Sequence, residues 1–114
     1  MTAAVRLTVL IGRSAHFHHH SAALEVLGLA RRSGMAGATV LAGVEGYGSS
    51  HVLHTPSLRS GVDAQSYTVV VVDTPAAISR LLGPVREAVA GKGIVFLEDV
   101  EVVSGRIGAT EGGR

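Results

Sequence analysis

The chain is expected to fold as an α+β domain of the ferredoxin-like kind: a βαββαβ sandwich with a four-stranded antiparallel sheet and two helices on one face. Three observations predict this. The β-branched runs at 5–11 (VRLTVLI) and 67–72 (YTVVVV) read as strands, and each is followed by a segment with helical spacing. Each of those segments leads into a further strand, one beginning near Gly37 and one at Ile94. A long connection joins the second and third strands, and right-handed crossovers then place both helices on the same side of the sheet. The other face has no cover within one chain. Either Val69 with Val71 or Val70 with Val72 must face it, which predicts self-association, with a compact trimer preferred.

The elements follow in order. The first strand is closed by Gly12, and its loose alternation suits burial on both faces. Over 21–33, Leu24, Leu27 and, less regularly, Ala30 recur at helical spacing, with Arg31 and Arg32 in the last turn and Gly34 as the stop. The second strand, GATVLAGV at 37–44, is expected to open into a loop, where Gly43, Gly46 and Gly48 remove side chains and let a backbone or a ligand come close. After the third strand, Thr74 or Asp73 should cap a helix that has Pro75 in its first turn. Ile78, Leu81, Leu82, Val85 and Val89 form its apolar stripe, and it ends near Gly91. Gly93 releases the chain into IVFLEDVEVV at 94–103, whose alternating second half suits an edge strand.

A length of 114 residues leaves room for one domain, read as 1–104, with a glycine-rich segment at 105–114 expected to be a flexible tail. Hydrophobic residues make up 46% and charged residues 17%, enough for a packed core, but aromatics are only 4%, so that core must be built from small aliphatic side chains. No apolar run approaches the roughly 20 residues that span a bilayer, so direct membrane insertion is not expected and a cytoplasmic location is. The absence of cysteine excludes disulfides, thiolate catalysis and thiolate-bound metals. A net charge of +1, without a polybasic run, points away from nucleic acid.

No enzyme is expected. No nucleophile elbow surrounds a serine, and the adjacent carboxylates Glu98, Asp99 and Glu101 are split between faces by strand alternation. Asp73 is an N-cap candidate before it is a catalytic acid. Gly91, Lys92 and Gly93 offer backbone N–H groups and an ammonium to an anion, or equally a helix stop followed by a turn. Six histidines stand out: His16, His18, His19 and His20 before the first helix, and His51 and His54 in the long connection. Imidazoles suit zinc, copper or nickel, yet no spacing here specifies a site and no metal ligand is assigned.

Taken together, Gly37-Ala38-Thr39-Val40, Gly46-Tyr47-Gly48, Ser49-Ser50, His54-Thr55, Val72-Asp73-Thr74 and Leu97-Glu98-Asp99-Val100 resemble the PII-like proteins of domain-of-unknown-function family 190. That resemblance spans about 5–103 and implies a cytoplasmic PII-like homotrimer that binds adenine nucleotides in clefts between subunits. It also implies signalling through the 47–65 loop to a protein partner, with a membrane transporter as one candidate. The ligand-binding residues it brings together with the glycine pattern are Gly43, Gly46, Tyr47, Gly48, Ser49, Ser50, His54, Thr55, Arg59, Gly91, Lys92 and Gly93. In PII proteins a C-terminal basic residue also closes over the nucleotide. Arg106 is this chain's candidate, though the glycines around it favour an untethered tail.

The chain also departs from the PII pattern. Leu58 stands where uridylylated PII proteins carry the modified tyrosine, so that modification is not implied. Ser49 and Ser50 replace basic and amide residues and bring no charge to a phosphate, which favours a ligand less charged than a triphosphate, or none. The alternative is a metal-binding trimer similar in architecture to CutA-type proteins, using the loop histidines.

Overall fold

Strand β1, Thr2–Gly12, sends Leu7, Val9 and Ile11 to one side, all three buried, and Arg6, Thr8 and Leu10 to the other. The computed structural model to which it belongs describes residues 1–43 and 66–108. A short hairpin follows, β2 (His16–Phe17) and β3 (His20–Ser21), then helix α1 (Ala22–Arg32), β4 (Ala38–Gly43), β5 (Ser66–Asp73), helix α2 (Pro75–Val89) and β6 (Gly93–Val102). The four long strands form one antiparallel sheet in the order β4-β5-β1-β6, with β5 and β1 central and β4 and β6 at the edges. This is the expected ferredoxin-like topology. Among the described residues, no helix is long and apolar enough to cross a membrane.

Both helices pack on the face carrying Leu7, Val9, Ile11, Val69 and Val71, and α2 contributes Ile78, Leu81, Val85 and Val89 to this core. The choice left open for β5 is therefore settled: Val69 and Val71 point to the helices, and Val70 and Val72 to the uncovered face. Leu10, Leu41, Ile94 and Phe96 are exposed on that same uncovered side, the first three in one row across the strands and Phe96 in the next row, opposite Thr8. Thr8 lies among them on a central strand, and its buried Oγ1 has no partner among the described residues.

Helix α1 corrects the expected stripe. Leu24 is 55% exposed, whereas Ala22, Ala23, Val26 and Ala30 are buried. Helix α1 must pack against α2 and the sheet at once, and small side chains on the seam allow that close approach, so the larger Leu24 is turned away. Its ends match the sequence reading: Ser21 Oγ accepts from the Leu24 N–H at 3.4 Å. At the other end Gly34, with φ of 78°, makes a Schellman cap in which Met35 N–H donates to Ala30 O and Gly34 N–H to Arg31 O. In α2, Thr74 rather than Asp73 is the cap, its Oγ1 accepting from Ala77 N–H at 3.1 Å. Gly83 and Pro84, poor helix residues, sit on the exposed side of α2.

The histidine segment, read as a loop, is instead the β2–β3 hairpin. Its two central residues, His18 and His19, have φ of 49° and 71°, the pair of positive values that a type I′ turn requires and that glycine or asparagine normally supplies. Replacing His18-His19 with Asn-Gly should therefore raise stability by about 1–2 kcal/mol, read by urea unfolding. An unchanged or lower midpoint would show that the histidines are held by contacts that outweigh the backbone strain.

Candidate functional site

The strands run so that Gly12, Gly43, Ser66 and Gly93 lie at one end of the sheet and Asp73, Ala38 and Val102 at the other. Gly43 ends β4 opposite Ser66, and a Cβ there would approach Ser66 Oγ to 2.6 Å. Gly93 opens β6 opposite Ile11, where a Cβ would fall on the Leu10 carbonyl oxygen and lie 3.2 Å from Ile11 Cα. At Gly93 the facing backbone leaves no room for a side chain, whereas at Gly43 the close atom is a hydroxyl that can rotate away and the nearest backbone atom, Ser66 O, is at 3.6 Å. The two glycines sit on opposite edges of the sheet, separated by β5 and β1, about 14 Å apart at ordinary strand spacing.

Gly91 has φ of 76° and turns the chain out of α2, while Lys92 N–H donates to Val89 O at 2.8 Å. The Lys92 ammonium donates to Ala88 O at 3.4 Å and lies 5.6 Å from the centre of the Phe17 ring. It is thus anchored at the negative end of α2 and over an aromatic face, with further N–H donors left for an anion. Beside this turn, a cleft of about 790 Å³ runs between α2 and the edge strand β6, lined by Leu82, Arg86, Val89, Val95 and Leu97. Gly46, Tyr47, Gly48, Ser49, Ser50, His54, Thr55 and Arg59 lie outside the described residues, as do His51 and Leu58. Among the described residues, no three histidine or carboxylate side chains gather to hold a metal ion.

A second cleft, of about 410 Å³, lies at the other end of the sheet, where Gly37 and Thr39 face Val70, Val72, Ser104 and Arg106. Below it Asp73 is 1% exposed and accepts three backbone hydrogen bonds. Its Oδ1 takes the N–H of Thr74 at 2.8 Å and that of Gly108 at 2.8 Å, and its Oδ2 takes the N–H of Ala36 at 2.9 Å. Of the segment 105–114 expected to be a tail, residues 105–108 are described, and Gly108 is held by this carboxylate. Sequence reasoning placed Asp73 at a helix cap and missed this role. The signal was present: Asp73 is in phase with Val69 and Val71, so period two already put it on the covered face.

The model of family DUF190, described as "Uncharacterized ACR", matches residues 4–102. The chain belongs to this family. A comparison with curated proteins finds no match. Among solved structures, the DUF190 chain is similar to CPII from Thiomonas intermedia K12, a nitrogen regulatory PII-like protein. In its apo form CPII is 18% identical over 88% of this chain and 91% of that one, with a TM-score of 0.59. In its form bound to ADP, AMP and bicarbonate it is 21% identical over 90% of each chain, with a TM-score of 0.59. A putative PII-like signaling protein from Thermus thermophilus is 18% identical over 90% of this chain and 94% of that one, with a TM-score of 0.58. The DUF190 chain therefore has the fold of PII-like proteins.

Proposed function

We propose that this chain is the subunit of a PII-like regulatory homotrimer, not an enzyme, which binds a small ligand in a cleft between subunits. An adenine nucleotide is the leading candidate. Ligand binding orders the 47–65 segment toward a protein partner, of which a membrane transporter is one kind. The observation that carries this reading is the shared fold with CPII, which is bound to ADP, AMP and bicarbonate in one of its structures. The geometry adds support. Gly43 and the Gly91–Gly93 turn are at the same end of the sheet but on opposite edges, and opposite edges become neighbours when copies are arranged in a ring. The apolar open face offers the surface such a ring would bury, with Phe96 38% exposed on it.

A thermal-shift panel with AMP, ADP, ATP, cyclic nucleotides, bicarbonate, zinc, copper and nickel tests the ligand. A nucleotide bound only by the folded state, at about a hundred times its Kd, should raise Tm by roughly 10 °C. No response to any nucleotide would sink the nucleotide reading, and a response to metals alone would move the assignment to the histidines. The assembly is tested separately by light scattering. The wild type should run at three subunits and Phe96→Asp at one, because a carboxylate cannot be buried in an apolar interface without a partner. A monomeric wild type would remove the intersubunit cleft from the reading.

A further inference from the structure

We infer that Asp73 is a latch: it couples the C-terminal strap, residues 104–108, to the turn that feeds β4, so that the two walls of the smaller cleft open and close together. The coupling stands on geometry alone, and it concerns the end of the sheet opposite Gly43 and the Gly91–Gly93 turn. The carboxylate is buried at the end of β5 and ties the strap and the β4 turn, both distant in sequence, to the start of α2 through Gly108 N–H, Ala36 N–H and Thr74 N–H. Leaving β6, the chain must pass the end of β1 to bring Gly108 to Asp73. On the way, Ser104, Arg106 and the half-buried Ile107 form one wall of the cleft, while Ala36, Gly37 and Thr39 form the other.

The physical basis of the coupling is the shared acceptor. With the strap seated, water is kept from the carboxylate, and the bond from Ala36, itself an exposed residue, draws its strength from that buried charge. When the strap lifts, Gly108 N–H leaves Oδ1 and water reaches the carboxylate, which weakens its hold on Ala36 as well. Thr74 caps α2 and stays with the helix, so Asp73 is fixed on one side and carries the two movable segments on the other. Arg106 makes no ion pair among the described residues, and its guanidinium rides on the strap. An anionic ligand in this cleft that touches Arg106 would therefore also steady the start of β4, the strand that leads into the 44–65 segment.

Amide hydrogen exchange on the full chain, without ligand, tests the latch. Asp73→Asn keeps the shape but turns an N–H₂ group or a weaker carbonyl toward donors. It should speed exchange at Ala36 and Gly108 together, by roughly ten- to a hundredfold, and trypsin cleavage after Arg106 should rise in parallel. Ile107→Ser, which leaves Asp73 intact and only loosens the seat of the strap, separates a latch from simple local support. The latch requires Ala36 to exchange faster in this variant too, although Ile107 is far from Ala36 in sequence. Faster exchange at Gly108 with Ala36 unchanged in Ile107→Ser would overturn the coupling, as would unchanged Gly108 exchange in Asp73→Asn. None of these readouts involves a nucleotide, so failure of the ligand reading shows only in the thermal-shift panel.

Discussion

Asp73→Ala is expected to lower the stability of the fold by roughly 4 kcal/mol, the largest loss foreseen for a polar substitution here. A hydrogen bond to a charged acceptor contributes about 1.5–3 kcal/mol, and a donor left buried without a partner costs a further part of its hydration. In this chain three backbone donors lose the same acceptor at once, those of Ala36, Thr74 and Gly108. Water can reach some of them after the strap lifts, which is why the loss is smaller than three full penalties. Urea unfolding followed by circular dichroism gives the number, and Asp73→Asn should recover about half of it. A loss below about 1 kcal/mol would mean that the three N–H groups are readily hydrated and that Asp73 does not hold the end of the sheet.

Gly93→Ala is expected to cost roughly 3 kcal/mol through a different cause, overpacking against backbone. The added methyl would fall on the Leu10 carbonyl oxygen and lie 3.1 Å from Ile11 Cβ, and neither belongs to a flexible side-chain end. Relief requires β6 to move away from β1 at the start of their pairing. Gly28→Ala is the control. It lies in the interior of α1, and the atom nearest to its Cβ would be Arg32 Nη1 at 3.0 Å, the end of a flexible, exposed side chain that can move aside. There alanine should raise stability by up to about 1 kcal/mol, because a helical glycine gives up more backbone entropy. Opposite signs in the two variants would establish that Gly93 is kept by contact and not by loop flexibility; equal signs would remove that account.

Much of the architecture was legible because burial here follows simple periods. The YTVVVV run and the stripe of Ile78, Leu81, Val85 and Val89 carry their element type in spacing alone, and Gly34, Thr74 and Pro75 mark ends through local backbone chemistry. Helix α1 was legible in extent but not in orientation. Leu24 outweighs Ala23 on any hydrophobic count, yet the seam against α2 and the sheet selects for small volume. The histidine hairpin was hidden for a related reason: a His-His pair is an uncommon occupant of a left-handed turn, so residue preferences alone do not announce it.

The candidate site divides in the same way. The motifs named Gly43 and the Gly91–Gly93 turn as special, and of these Gly91, with its positive φ, and Gly93, set against backbone, have geometric reasons to be glycine. Residue pattern by itself determined the order of the four long strands and two helices, the open apolar face and the family likeness, since each depends on neighbours along the chain or on alternation within one strand. Only the tertiary structure decided that Asp73 gathers backbone donors from three segments and that the strap from 104 to 108 is tied to the start of β4. The contacts to Gly108 and Ala36 join residues 35 and 37 positions apart, and a hydrogen bond to a backbone N–H leaves no trace in the identity of the residue that donates it.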